Sequence, residues 1–109
     1  MATFFRNSVV KNVGPNPISV LETDPSVRAT VIGLSFANLT PSYVYVSVLL
    51  RDDTSVTGYY LKDILVPANT TLKALNGGEK LIVAPSNELL VSSSQEDSVD
   101  VVLSYVEIT

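Results

Sequence analysis

The chain has 109 residues, the size of one folded domain with its own core, and we expect residues 1–109 to form that single domain. Hydrophobic residues make up 46% and charged residues only 17%, which excludes the composition typical of intrinsic disorder. A formal net charge of −4 argues against nucleic acid or anionic membranes as partners, and the absence of histidine and cysteine removes the commonest catalytic and metal-binding side chains.

The amino end, Met-Ala-Thr-Phe-Phe-Arg-Asn, lacks the apolar stretch of a signal peptide. No run of about 18 apolar residues, as a membrane-crossing helix needs, occurs in the sequence. We therefore expect the protein to be synthesised as a soluble product in the cytoplasm, without a membrane partner.

Valine-rich segments recur along the chain and are separated by turn-forming residues. In chain order the predicted strands are Thr3 to Asn12, a short one at Ile18 to Leu21, Ala29 to Ala37, Tyr43 to Leu50, Thr57 to Val66, Glu79 to Val83, Glu88 to Ser92 and Ser98 to Ile108. Between them lie proline, glycine, asparagine and aspartate, which favour turns and interrupt strands. Branched side chains such as valine suit a pleated sheet and crowd a helix.

These seven to eight strands predict an all-β fold, a single-domain antiparallel β-sandwich of either the jelly-roll or the immunoglobulin-like kind. Residues 70–75 have a slight helical character, but the segment is too short for a helix and Gly77-Gly78 follows it. We interpret Asn76-Gly-Gly78 as a turn that precedes the strand beginning at Glu79. The sequence shows no linker, second domain or internal repeat.

The segment from Tyr43 to Leu50 has two different faces, because successive side chains of a strand point to opposite sides. The set that is uniformly apolar and branched is predicted to face the core; it is Val44, Val46, Val48 and Leu50. The other face carries Tyr43, Tyr45 and Leu49 around Ser47. Tyrosine is enriched at protein interfaces, so this face is a predicted contact surface, unless a loop of the same chain covers it.

The last strand is also apolar on both sides. One row, Val99, Val101, Leu103 and Tyr105, is predicted to be internal. The other row begins polar with Ser98 and Asp100 and ends apolar with Val102, Val106 and Ile108. A two-layered sandwich buries only one face of each sheet, so this second row is predicted to contact a loop, a neighbouring subunit or a bulge that switches faces. We favour a homo-oligomer.

Residues able to carry catalysis are sparse. The serines of Ser92-Ser-Ser94 have no histidine to activate them, and the acidic pairs Asp52-Asp53 and Glu96-Asp97 fall in predicted hairpin loops, where carboxylates are ordinary turn formers. Their spacing matches no calcium loop. We therefore expect no enzymatic activity, no metal, no cofactor and no small-molecule substrate.

Two asparagine sequons, Asn38-Leu-Thr40 and Asn69-Thr-Thr71, indicate loop positions and nothing further in the absence of a secretory signal. Four tyrosines could stack on sugar rings; they are Tyr43, Tyr45, Tyr59 and Tyr60. Because the chain has no tryptophan, the residue that carbohydrate platforms use most, sugar binding remains the alternative hypothesis.

Four segments of the carboxyl-terminal half form a distinctive succession: Tyr59-Tyr-Leu-Lys-Asp-Ile-Leu-Val-Pro-Ala-Asn-Thr-Thr-Leu72, Glu79-Lys-Leu-Ile-Val-Ala84, Asn87-Glu-Leu-Leu-Val-Ser-Ser93 and Ser98-Val-Asp-Val-Val-Leu-Ser-Tyr-Val-Glu-Ile108. This succession resembles small structural proteins of tailed-bacteriophage virions. In that group a strand ends in Val-Pro-Ala and a polar turn follows. A Leu-rich strand then leads through an acidic turn to a "Leu-Val-Ser-Ser" strand, and a "Val-Asp-Val-Val-Ser-Tyr-x-Glu-Ile" strand ends the chain. Where the group has glycine after Val-Pro-Ala this chain has Asn69, and Pro85-Ser-Asn-Glu88 stands where a Gly-Asp turn is commoner. These departures concern turn type.

The resemblance implies a structural protein of the virion: a decoration or cement subunit of the capsid, or an accessory subunit of the head-to-tail connection or tail. Its partners would be copies of itself, which we expect to form a trimer, and other virion proteins. The alternative, from a different class, is a carbohydrate-binding or receptor-binding module of a larger apparatus.

Overall fold

The computed structural model of the chain describes residues 2–75 and 80–109. These residues form nine strands: β1 (Thr3–Val13), β2 (Ile18–Glu22), β3 (Arg28–Asn38), β4 (Val44–Arg51), β5 (Thr57–Val66), β6 (Thr71–Lys73), β7 (Leu81–Val83), β8 (Glu88–Ser93) and β9 (Val99–Ile108). No helix occurs within the described ranges, and so none there could span a membrane. The all-β prediction is confirmed.

The strand count exceeds the seven to eight that the pattern indicated because residues 71–73 form a strand. This segment, whose composition has a slight helical character, pairs with β3, where Leu72 lies opposite Phe36. Tertiary pairing outweighs local propensity here, as is common for short segments. The predicted turn Asn76-Gly-Gly78 and the predicted strand start at Glu79 lie outside the described residues.

The strands form two antiparallel sheets. In sheet I the order is β1-β9-β3, with β6 and β7 both paired to the outer side of β3; in sheet II it is β2-β8-β4-β5. Along the chain, β1 therefore pairs with β9, β2 with β8, β3 with β6 and β7, and β4 with β5. This nested pairing, in which a long antiparallel ribbon is rolled into two facing sheets, is the jelly roll. Of the two sandwich types expected from the sequence, the structure has this one.

The core lies between the two sheets and consists mainly of branched aliphatic side chains. Val44, Val46 and Val48 of β4 are fully buried, as predicted, and Leu50 packs partly buried against them. The inner row of β9 is buried as predicted; it comprises Val99, Val101, Leu103 and Tyr105. Each fully buried valine or leucine contributes about 1.5–3 kcal/mol relative to an exposed one.

Bulges and left-handed residues shape the ends and edges of the sheets. Among the described residues, non-glycine side chains with positive φ include Asn69 (φ 51°) and Ser86 (φ 60°). These are the two turns at which the chain departs from the glycine-containing pattern of the resemblance. The departures therefore fall where the backbone adopts a conformation that glycine accommodates most easily.

Candidate interaction surfaces

Sheet II presents an apolar outer face, here called the tyrosine face, made of Tyr43, Tyr45, Leu49, Tyr59 and Leu65. Tyr43 is 60% exposed and Tyr45 42% exposed, and their rings meet edge to face with centroids 5.6 Å apart. In the β4–β5 pairing Tyr45 lies opposite Leu65, and Leu49 lies opposite Tyr59. Directly opposed residues share a face of the sheet, so the sequence-derived set of three extends onto β5.

A bulge in β5 places charge beside this face. Asp63 has φ 49°, its backbone N–H donates to Ser47 Oγ at 3.0 Å, and its carboxylate accepts from Lys62 Nζ at 3.0 Å. The hydrogen bond from Lys62 lowers the pKa of Asp63, and the same bond raises the pKa of Lys62. Lys62 Nζ also lies 5.4 Å from the Tyr59 ring centroid, a cation–π distance.

Tyr60 does not belong to this surface. It is half-buried and packs against the core, at a second register shift in the β4–β5 pairing. The four tyrosines that the sequence places in neighbouring strands therefore divide, with three directed outward and one inward. Strand alternation alone separates Tyr59 from Tyr60, because successive side chains of a strand point to opposite sides; which of the two faces outward is shown by the pairing of Tyr59 with Leu49.

Sheet I presents a second apolar outer face, here called the valine face, made of Phe5, Val9, Val102, Val106 and Ile108. Phe5 is 80% exposed and Val9 63% exposed. Phe5 lies opposite Val106, and Val9 lies opposite Val102, which is itself 43% exposed. The sequence analysis identified the β9 members and missed Phe5 and Val9, although both lie in one alternating row of β1.

The two faces lie on opposite outer sides of the sandwich. Tyr43, Tyr45 and Leu49 belong to sheet II, whereas Val102, Val106 and Ile108 belong to sheet I. The structure thus brings each group of three together and separates the two groups by the thickness of both layers. They form two surfaces rather than one.

Among the residues considered for chemistry, Ser93 ends β8, Ser94 follows it and Asp52 lies in the β4–β5 turn, and each makes hydrogen bonds within the fold. Ser93 and Ser98 are buried with their hydroxyls 2.6 Å apart, and the Ser94 hydroxyl accepts a hydrogen bond from the Tyr45 N–H. Asp52 Oδ1 accepts from Thr54 Oγ1 at 2.6 Å and from the Val56 N–H at 3.1 Å. Within residues 2–75 and 80–109 no three His, Cys, Asp or Glu side chains are grouped so as to hold a metal ion.

No protein-family model matches the chain, and no curated protein resembles it significantly in sequence. Solved structures match it in fold. A chain of the infectious bursal disease virus particle superposes with a TM-score of 0.59 at 7% identity over 96% of this chain, which spans only 30% of that one. A chain of Bacillus endospore appendages, described as disulfide-linked pili, gives 0.58 at 6% identity and covers 98% and 88% of the two chains. PirA gives 0.51 at 11% identity, with 94% and 92% covered. These likenesses show the fold alone.

Proposed function

We propose that the chain is a non-enzymatic structural protein of a bacteriophage virion. Its role would be that of a decoration or cement subunit on the capsid, or of an accessory subunit at the head-to-tail connection or tail. It self-associates through the outer faces of its strands. The observation that carries this proposal is the exposure of apolar side chains on the outer faces of both sheets.

Two opposed apolar faces favour repetitive assembly over binding of a single ligand. A monomer rarely exposes large continuous apolar patches, and a simple binding module needs only one. A subunit with the tyrosine face on one side and the valine face on the other can contact neighbours in two directions. The low share of charged residues agrees with a surface that other chains cover.

Two further observations support the proposal. The carboxyl-terminal half resembles tailed-phage virion proteins, and this half includes β9, whose outer row forms most of the valine face. Jelly rolls also recur in viral capsids. Two of the similar structures come from repetitive assemblies, a viral particle and a pilus. We propose that the protein is made in the host cytoplasm, forms trimers and binds other virion proteins, without nucleic acid, membrane or small-molecule substrates.

Mass spectrometry of purified particles tests the proposal directly. The phage whose genome encodes the chain is grown, and its particles are banded, washed and digested. The chain is expected in many copies per particle, at a constant ratio to the major capsid protein across the density peak. Its absence from the banded particles contradicts the proposal. A non-structural protein of the same genome, followed in the same fractions, is the control for contamination.

A carbohydrate-binding or receptor-binding module is the second candidate, and the tyrosine face favours it. Tyr43, Tyr45 and Tyr59 present exposed rings on one surface, and lectins also use the jelly roll. A glycan array tests this function with the wild-type chain and with Tyr59→Ala. Binding that the substitution abolishes supports a sugar site, whereas an array without signal removes the candidate. Tyr60→Phe is the matched control, because Tyr60 packs inward.

A further inference from the structure

The open edges of the two sheets are unequally protected. An unpaired strand edge offers free N–H and C=O groups to any other strand, and proteins usually shorten, bend or charge such edges. Edge strand β2 has only five residues and a register shift at Val20, whose carbonyl accepts from Ser8 Oγ at 2.9 Å. β6 and β7 have three residues each. β5 is long, but it is bulged at Asp63 and carries the adjacent charge of Lys62.

Over Thr3 to Val10, strand β1 is neither short nor bent, and Arg6, the charged side chain of this segment, is paired with Glu107 of β9. Thr3 to Val10 pair with β9 in unbroken register, and the shift comes only after Val10. In the described residues β1 pairs with a strand on one side only, at the end of sheet I. The segment contains no proline or glycine, and residues 3–7 are all exposed. It is the longest regular edge in the described part of the molecule.

We propose that β1 is an assembly edge that pairs antiparallel with β1 of a second copy, so that sheet I continues across both molecules. This inference rests on the proposed function for self-association and adds the surface through which one contact is made. Backbone hydrogen bonds along the edge would supply the affinity, as in other cases of strand addition. Side chains on the two faces would fix the register.

The side chains of β1 favour a register centred on Asn7, and this self-complementarity identifies a second copy as the partner. In an antiparallel pair about a two-fold axis, Asn7 then opposes Asn7 of the second copy, and Phe5 opposes Val9 of the second copy. Aromatic and β-branched residues form favourable cross-strand pairs. Arg6 opposes Ser8, so no like charges are opposed. Centring the pair one residue earlier would place arginine against arginine, and centring it one residue later would place Phe5 against Lys11.

The same register makes one apolar row from both molecules. Val102 already lies beside Val9, and Phe5 beside Val106, on the valine face. Pairing through Asn7 adds Phe5 of the second copy next to Val9, so the row runs from Val102 across the junction to Val106 of the second copy. The contact doubles the valine face instead of covering it, and leaves that face free for the particle.

Cysteine cross-linking can measure this register, because the chain contains no cysteine of its own. The variant Asn7→Cys places two thiols opposite each other at the centre of the pair. Under mild oxidation it should form disulfide-linked dimers at least about tenfold faster than Thr57→Cys, which places an exposed thiol on the β5 edge. Equal cross-linking rates for the two variants would overturn the inference.

Two charged double variants at positions 5 and 9 distinguish specific pairing of the β1 edges from association that needs only an apolar surface. In the double variant Phe5→Lys/Val9→Lys, lysine opposes lysine at two places, and light scattering should show loss of the dimeric contact. In Phe5→Lys/Val9→Glu, lysine opposes glutamate at the same places, and the contact should return. Circular dichroism confirms that both variants fold. If both double variants associate equally well or equally poorly, β1 pairing is wrong.

These outcomes are distinguishable from failure of the proposed function. β1 pairing is two-fold, so a closed assembly that contains it has an even number of chains. With the proposed trimeric contact the smallest such assembly has six chains, and a closed assembly with an odd number overturns the pairing. Self-association into an odd-numbered assembly would still agree with the proposed role as a virion subunit. Absence of the protein from purified particles contradicts the proposed function, whatever β1 does in solution.

Discussion

Asn38 and Thr40, the two ends of a glycosylation sequon, are bonded to each other inside the protein. The backbone N–H and the hydroxyl of Thr40 both donate to Asn38 Oδ1 at 2.9 Å. The Asn38 amide nitrogen donates in turn to the carbonyls of Ser42, Val66 and Pro67 at 2.9–3.1 Å. Both residues are buried. The sequon is thus a structural joint that ties the end of β3 to the start of β4 and the end of β5.

Replacing Asn38 should therefore be costly. Asn38→Ala removes the side-chain partner of the Thr40 N–H and of the Val66 and Pro67 carbonyls, whereas the Thr40 hydroxyl keeps its bond to the Ser42 carbonyl at 2.7 Å. We expect a loss of about 2–4 kcal/mol in the free energy of unfolding. Chemical denaturation measures this loss. Leu39→Ala is the matched control within the same tripeptide: Leu39 is exposed, so its truncation should cost less than about 1 kcal/mol. Equal losses of unfolding free energy in the two variants would contradict a structural role for the Asn38 side chain.

Ser86 should be a position where glycine stabilises the protein. The Asn87 N–H donates to the Ala84 carbonyl and closes a four-residue turn. Proline is the second residue of this turn, and Ser86 is the third, with φ 60°. This is the pattern of a type II turn, which prefers glycine in the third position. We expect Ser86→Gly to raise the free energy of unfolding by about 0.5–1 kcal/mol. Asn69→Gly should change it less, because asparagine tolerates positive φ. Thermal unfolding compares the two, and a larger gain at Asn69 would refute the explanation.

The sequence alone predicts the strand class and most of the core, because alternating valines in β4 and β9 can point inward in only one register. Proline, asparagine and serine also predict the turns. The order of the strands in the sheets cannot be predicted in this way, because it depends on pairing between distant segments such as β1 and β9. The sandwich type therefore stayed open between two alternatives. β6 was missed because three residues carry too little pattern to distinguish a strand from a turn.

Acid should weaken the β4–β5 hairpin through Asp52. Hydrogen bonds from the Thr54 side chain and then from the backbone of Val56 and Thr54 lower the pKa of Asp52 from its ordinary 3.8. A lowered folded-state pKa means that this stabilisation is complete above the ordinary value and is lost as pH falls through the folded value.

Comparing Asp52→Asn with the wild type measures this effect, since asparagine does not titrate. The stability advantage of the wild type should be largest near neutral pH and shrink below pH 3.8. Denaturant titrations at neutral pH and in acid give both differences. Thr54→Val, which removes only the strongest hydrogen bond to the carboxylate, should show a reduced pH dependence. Parallel stability curves for the wild type and Asp52→Asn would rule out this role.

The two faces should contribute separately to assembly. Tyr45→Lys and Val102→Lys each place a charge on one face, and each should reduce the mass of the assembly measured by sedimentation. The double variant should reduce it further, because the faces lie on opposite sheets and contact different neighbours. Val56→Lys, at an exposed position of the β4–β5 turn, should leave the mass unchanged. Unchanged mass in both face variants would exclude these surfaces as contacts.

The sequence predicts part of the tyrosine face and part of the valine face. Tyr43 and Tyr45 alternate with buried valines, so their outward direction follows from strand geometry alone. Phe5 and Val9 were not singled out, because in β1 both rows mix polar and apolar residues, and only the pairing with β9 shows which row joins Val102. Tyr60 follows Tyr59 directly and so lies on the other side of β5, where it packs against the core.

A density map of the intact phage particle tests the central claim most directly. The account predicts a jelly-roll density of this size in many symmetry-related copies, with the tyrosine face, the valine face or both in contact with neighbouring chains. A particle map that contains no such density, or one in which both faces of every copy are exposed to solvent, would contradict it.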